Sequence, residues 1–117
     1  MVPDRADLLL DGHRDMREQA LRFMTGYWRL TDSEAHQLMR AILHSQYTRA
    51  QEFRQQFALI ATMPHLDVRH VIHTQVTPAF VVQLVEDLVH EKRLSRTDAS
   101  GVQDKILQRT SASGAWT

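Results

Sequence analysis

The amino-acid sequence predicts an all-α fold, a compact bundle of five or six short helices. Three observations support this prediction. Apolar residues recur three, four and seven positions apart along most of the chain. Pairs of capping residues precede several of these apolar stretches, and no segment shows the strict alternation of a half-buried strand.

The first helical segment begins near Pro3, which suits a first helical position because proline lacks an N–H that would have no partner there. Asp11 and Gly12 interrupt this segment. Either the pair forms a turn that splits the segment into two helices, or one long helix tolerates the glycine at a cost of about 1 kcal/mol. We favour a short first helix, a turn at Asp11-Gly12 and a longer helix that ends near Gly26. The longer helix carries an apolar stripe that includes Met16, Ala20, Phe23 and Tyr27.

Two capping boxes predict the next helices. Thr31 and Glu34 have the spacing at which the hydroxyl accepts from one backbone N–H and the carboxylate accepts from another. Thr48 and Gln51 repeat the pattern, and Pro64 is expected to end the helix that follows. The apolar faces of these two helices are Ala35, Leu38, Met39, Ile42 and Leu43 in the first, and Ala50, Phe53, Phe57 and Ile60 in the second.

Three further helices follow in the sequence. Asp67 is a candidate cap for a short helix, Thr77-Pro78 is a strong start signal for the next, and Ser95 with Asp98 opens the last. The helix after Thr77 is apolar over more than half of its circumference, which is typical of a central helix packed on several sides. The last helix carries Ala99, Val102, Ile106 and Leu107 on its apolar side.

Length and composition are those of one globular domain. The chain has 117 residues, 43% of them hydrophobic, and we predict one domain over 1–109 with a flexible tail over 110–117. Fourteen basic and fourteen acidic residues cancel, so no long-range attraction to nucleic acid or an anionic membrane is expected. The absence of cysteine excludes disulfides, thiolate metal sites and cysteine nucleophiles. With no predicted leader or membrane span, the expected location is cytoplasmic.

No catalytic motif is present. The chain contains neither a GxSxG elbow nor a GxxxxGK[ST] or GxGxxG loop, and its four glycines are scattered. Asp67, His70 and His73 are spaced three apart and would share one side of a helix. They form either a metal site or, as we favour, a polar rim. We predict a protein that is not an enzyme and needs no cofactor.

A DNA-binding regulator is the alternative function. Residues 71–78 have the character of the turn in a helix-turn-helix, and the helix after Thr77 would then read the major groove. That helix is largely apolar and carries Glu86 and Asp87, whereas a reading helix presents Arg, Lys, Asn or Gln. A strip of arginines at 14, 17, 22 and 29 is interleaved with acidic residues and is typical of a solvated face.

Aromatic and arginine residues cluster at the end of the long helix. Tyr27, Trp28 and Arg29, with Arg22 one turn before them, are of types enriched at interface hot spots. We predict a partner contact at these four residues. The alternative is that Phe23 and Tyr27 belong to the core and that Trp28 covers the edge of the bundle, since large aromatics are commonly only partly buried.

From Leu30 to Leu94 the chain resembles a known family. The residues that carry the resemblance are the Leu30-Thr31 helix start, the run Ala41-Ile42-Leu43 and the helix from Phe80 that closes on Lys92-Arg93-Leu94. This pattern is similar to that of the bacterial effector-associated domains, which are small death-domain-like helical adaptors. In that family a later helix of the domain ends in Gly-Arg-Leu, so Lys92 stands where glycine is usual.

The resemblance implies a six-helix bundle without catalysis that recruits an effector by pairing with a like domain. Our leading hypothesis is therefore a non-enzymatic interaction module whose partner is another protein, with a homo-oligomer as one form of such pairing.

Overall fold

Six α-helices follow one another in the computed structural model, which describes the backbone of residues 5–63 and 68–109 and the side chains of 16–63 and 70–109. No strand occurs in those ranges, so the predicted all-α bundle is confirmed. None of the described helices has the length and apolarity needed to cross a membrane. The helices are α1 (Arg5–Gly26), α2 (Asp32–His44), α3 (Thr48–Thr62), α4 (Val68–Thr74), α5 (Pro78–His90) and α6 (Arg96–Gln108).

Local capping explains three of the helix starts. The Thr31 hydroxyl accepts from the Glu34 N–H at 3.1 Å, and the Glu34 carboxylate accepts from the Thr31 N–H at 2.9 Å. This is the predicted capping box, which gives two otherwise unpaired donors a partner. Thr77 and Ser95 start α5 and α6 as predicted, each by accepting from the backbone N–H three residues on.

The predicted break in the first segment is wrong, because α1 is one continuous helix of 22 residues that passes through Asp11 and Gly12. A glycine inside a helix costs only about 1 kcal/mol. Packing of one long helix against its neighbours outweighs that cost, and α1 packs against both α2 and α3.

The second predicted capping box is also wrong. Thr48 is already the first helical residue of α3, and Tyr47 occupies the cap position without a side-chain hydrogen bond. The Gln51 amide instead donates to the Gln46 carbonyl at 3.2 Å. Pro64, Asp67 and the predicted tail over 110–117 lie outside the described residues.

An aromatic cluster fills the core beside α1 and α3. The ring of Phe23 lies 4.7 Å from that of Trp28 and 5.7 Å from that of Phe57, and Phe57 lies 4.7 Å from Phe53. Edge-on and tilted pairs at these separations add about 0.5–1.5 kcal/mol each beyond the burial of apolar area. The cluster fixes the end of α1 against the middle of α3.

The apolar helix α5 lies in the interior, as predicted, and packs against α3 and α6. Its buried residues are Pro78, Val81, Leu84, Val85 and Leu88. On α6, Ala99, Val102 and Ile106 are buried, but Leu107 is 52% exposed, so its assignment to the apolar side is wrong. Adjacent residues of an α-helix lie about 100° apart around the helix axis, so Leu107 faces the surface although the preceding Ile106 is buried.

Candidate interaction surface

Of the four residues predicted to contact a partner, one is buried in the structure and three remain at the surface. Trp28 has no exposed surface, and its ring packs edge-on against Phe23 in the aromatic cluster. A residue in this position cannot contact a partner without unfolding, so the prediction is wrong for Trp28. Its residue type indicated a hot spot, but its large apolar area is used inside the fold.

The other three predicted residues remain at the surface. Tyr27 is half-buried and stacks on Phe23 with ring centroids 5.2 Å apart, while Arg22 and Arg29 are exposed. Arg29 adopts a left-handed backbone conformation with φ of 60°, which turns the chain from α1 toward α2. Glu18 lies one turn before Arg22 on α1, a spacing at which a carboxylate offsets an arginine charge.

Two of the three candidate metal ligands, His70 and His73, are among the described side chains. His70 and His73 are exposed on α4, and Asp67 lies outside the described residues. Within the part of the chain whose side chains are described, no group of three His, Asp or Glu side chains converges on a common point.

Ion pairs tie α5 and α6 to each other and to their neighbours. Arg96 on α6 donates to both carboxylate oxygens of Glu86 on α5, at 2.8 and 3.0 Å. Asp87 accepts from Arg49 on α3 at 2.9 Å, and Lys105 on α6 donates to Glu34 on α2. These pairs are partly exposed, so they fix the register of the helices more than they stabilise the fold.

The hydrogen bonds from Arg96 and Gln103 lower the pKa of Glu86 to about 2. At Glu34, partial burial raises the pKa, but hydrogen bonds from Lys105 and Thr31 outweigh it and leave the pKa below its usual value. Both carboxylates are therefore charged at neutral pH and are used in helix–helix contacts.

A second polar group joins the end of α2 to the end of α5. The Glu91 carboxylate accepts from the Ser45 hydroxyl at 2.8 Å and from the Gln46 N–H at 3.2 Å, and it also pairs with Arg93. Arg54 on α3 donates to the carbonyl of Ser45 at 3.1 Å. An arginine at the C-terminal end of a helix satisfies carbonyls that have no partner within the helix.

Burial and the neighbouring charges shift pKa values in opposite directions within this group. Burial raises the pKa of Glu91, but the contacts with Arg93, Ser45 and Gln46 outweigh it, and the pKa lies below its usual value. Burial lowers the pKa of Arg54, and the nearby Glu91 charge partly offsets this. This polar group has a structural role, since its donors and acceptors bind each other and hold the ends of α2 and α5 together.

The outer face of α2 is different, because it separates two surface grooves. The α1–α2 groove, of about 230 Å³, is lined by Arg17, Leu21, His36, Met39, Arg40, Leu43 and His44. The α2–α6 groove, of about 320 Å³, is lined by Gln37, Arg40, Ala41, His44, Arg93, Leu94, Ser95 and Asp98. Arg40 and His44 line both grooves and form the ridge between them.

The α1–α2 groove carries positive charge and receives no counter-charge from the described side chains. No carboxylate is among the described residues that line it, and neither Arg17 nor Arg40 lies within 4 Å of a carboxylate belonging to a described side chain. The sequence positions one turn before and after Arg40 hold His36, Gln37, Leu43 and His44, so no acidic neighbour exists on its own helix.

Sequence reasoning missed this groove, although part of its signal is visible in the sequence. His36, Arg40 and His44 are spaced four apart, which places them along one side of α2. That no described carboxylate pairs with them depends on where Glu34, Glu86, Asp87 and Glu91 lie in the fold, and spacing alone does not give that.

The surroundings of α5 bear on the DNA-binding alternative. Val81, Leu84, Val85 and Leu88 have no exposed surface, and the neighbouring carboxylates Glu86 and Asp87 are in ion pairs. A helix that reads DNA presents Arg, Lys, Asn or Gln to the major groove. The DNA-binding alternative stays a prediction.

Comparisons with protein-family models, with curated proteins and with solved structures give no match.

Proposed function

We propose that this chain is a non-enzymatic adaptor domain that binds another protein, in the manner of the effector-associated domains that it resembles. The single observation that carries the proposal is the groove between α1 and α2, where Arg17 of α1 and Arg40 of α2 meet no described carboxylate. Three of the four described ion pairs instead join helices within the fold.

One local feature supports the family resemblance. Lys92 adopts a left-handed conformation with φ of 63°, while the N–H groups of Lys92 and Arg93 donate to the carbonyls of Val89 and Leu88. This arrangement is the Schellman motif, in which glycine is the preferred residue at the left-handed position. The glycine that the family usually has at this place is thus the residue that the backbone conformation favours.

A protein partner suits the α1–α2 groove better than nucleic acid does. Leu21 and Leu43 are partly buried along the groove and Met39 is buried beneath it, so the floor is apolar between cationic edges. Apolar side chains of a protein gain about 25 cal/mol per Å² by covering such a floor, whereas a phosphate backbone has no apolar groups to place there. The chain also has no net positive charge to attract nucleic acid.

The test is co-purification of the tagged full chain from its native lysate, with nuclease treatment, against a Leu84→Asp variant that cannot fold. We expect a protein partner to co-purify with the folded chain, in an amount comparable to that of the chain itself, and no such partner to co-purify with the variant. An effector carrying a similar helical domain would extend the support to the family assignment.

Two results would contradict the proposal. One is a saturable turnover activity that depends on a single His or Ser of the chain. The other is duplex DNA binding in fluorescence anisotropy that weakens steeply with salt, which would favour a nucleic-acid regulator instead.

A further inference from the structure

We infer that the α1–α2 groove binds an acidic amphipathic helix of the partner protein, an inference that rests on the proposed adaptor function. The groove lies between two helices that pack against each other and has a basic edge on each side. Binding of an amphipathic helix in a groove between helices is a recurring mode of recognition, in which residues at helical spacing anchor the ligand.

The floor of the groove selects for apolar anchors. Leu21 on α1 and Leu43 on α2 are each partly buried against the core, and Met39 between them is 2% exposed. Methionine is unbranched and fits differently shaped apolar partners. One or two Leu, Ile or Met side chains on a helical ligand would cover this floor and remove the remaining exposed apolar area from water.

The edges of the groove select for carboxylates at helical spacing. His36, Arg40 and His44 follow one another at four-residue intervals, which corresponds to about 6 Å along the helix axis per interval. Glutamates spaced four apart on a ligand helix lying along α2 have the same interval. His36 is fixed by a hydrogen bond from its Nδ1 to the Asp32 carbonyl oxygen at 2.7 Å, so its ring is held in place on this edge.

The opposite edge belongs to α1. Arg17 is exposed there, and the residues one turn away in sequence are His13, Arg14, Ala20 and Leu21, so no acidic residue of α1 occupies those positions. A ligand helix with carboxylates on both flanks of its apolar stripe would meet Arg17 on one side and Arg40 on the other. Arginine forms the stronger, two-pronged contacts with carboxylate.

The neighbouring α2–α6 groove does not fit the same ligand. Asp98 is among its lining residues, and Arg93 is already paired with Glu91. Besides the shared Arg40, an acidic helix placed there would meet the Asp98 carboxylate and an arginine that Glu91 neutralises, so the charge pattern favours the α1–α2 groove for such a ligand.

The experiment uses a synthetic helical peptide of about 18 residues, long enough to form helix in water. Its leucines are spaced three and four apart, and glutamates flank them on both sides. The control peptide carries glutamine in place of each glutamate. Binding to the full chain is measured by fluorescence anisotropy, and the site is mapped by amide chemical shifts in NMR spectra.

Two matched double variants locate the site. Arg17→Glu with Arg40→Glu reverses two charges at the groove, and Arg22→Glu with Arg29→Glu makes the same change at the rival contact surface that the sequence predicts at the end of α1. We expect the groove variant to weaken peptide binding at least tenfold, or about 1.4 kcal/mol. If the groove and not that rival surface is the peptide site, the Arg22 and Arg29 variant binds as the wild type does, and the shifts follow the residues that line the α1–α2 groove.

The inference is overturned if the peptide does not bind at about 1 mM, if the glutamine peptide binds as tightly, or if both variants lose affinity equally. Shifts in the groove that grow with protein concentration alone would identify a second copy as the occupant and would also contradict it. If the natural partner is captured by the groove variant as well as by the wild type, the adaptor function stands and only the groove assignment fails.

Discussion

The helices α2 and α5 are equally long, at 13 residues, and each buries five residues, yet they use their charged groups in opposite ways. On α5, Glu86 and Asp87 pair with Arg96 and Arg49 and join three helices. On α2, Arg40 is exposed between two grooves and pairs with no described carboxylate. Exposed charges thus either fix the packing of the bundle or remain available for a partner.

The two helices also differ in what surrounds their apolar residues. Beyond its five buried residues, α5 carries Phe80, Val82 and Val89 in partly buried positions, so little of it faces solvent. The side of α2 opposite its buried residues holds exposed polar residues, namely His36, Gln37, Arg40 and His44. We therefore expect changes on α5 to alter the free energy of unfolding, and changes on the outer face of α2 to alter binding.

The largest expected effect is at the centre of α5. Leu84 has no exposed surface, so Leu84→Ala should remove transfer free energy and leave a cavity, at a cost of about 2–5 kcal/mol. Urea denaturation followed by circular dichroism measures this change. The exposed neighbour Gln83→Ala is the control and should shift stability by less than about 0.5 kcal/mol. A loss below about 1 kcal/mol for Leu84→Ala would mean that α5 is not central.

The sequence predicted those parts of the fold that depend on local chemistry. The starts of α2, α5 and α6 follow from Thr31, Thr77 and Ser95, because a cap is decided by residues within three positions of one another. The width of the apolar surface on α5 likewise predicted its burial.

The failures occur where distant residues decide. Thr48 does not cap α3, because the turn before it is held by Glu91, which binds Ser45 and Gln46 from 46 and 45 positions away. Trp28 was assigned to the surface by its residue type, although its position is set by packing on Phe23. The available charge on Arg40 also depends on which arginines and carboxylates meet after folding.

A smaller effect is expected where α5 ends. Lys92 lies in the left-handed region, which costs an L-residue about 1–2 kcal/mol, whereas glycine enters it freely but loses more chain entropy on folding. Lys92→Gly should therefore raise the free energy of unfolding by about 0.5–1 kcal/mol, measured by urea denaturation. Lys92→Ala removes the charge but keeps an L-residue in the left-handed conformation, so it should give no such gain. Destabilisation by glycine would show that the lysine side chain makes a contact of its own.

The ion pair between α5 and α6 should make stability depend on acid pH. The folded pKa of Glu86 is about 2, below the ordinary value of 4.5, so its contribution is complete above pH 4.5 and is lost as the pH falls through about 2. Glu86→Gln should lower the melting temperature at pH 7, and the difference from wild type should shrink as the pH is lowered from 4.5. Asp104→Asn, an exposed carboxylate on α6, is the control. A pH-independent difference would exclude ionic pairing as its cause.

The smallest effect on stability is expected at the α1–α2 groove. Arg17→Glu with Arg40→Glu removes no ion pair among the described side chains, so the free energy of unfolding should change by less than about 0.5 kcal/mol. Arg49→Glu with Arg96→Glu makes the same charge change but breaks both ion pairs of α5, and it should lose more. Urea denaturation of the two variants under one set of conditions gives a direct comparison. If they lose equal stability, the arginines of the groove also stabilise the fold, and the distinction between charges that stabilise the bundle and charges that bind a partner does not hold.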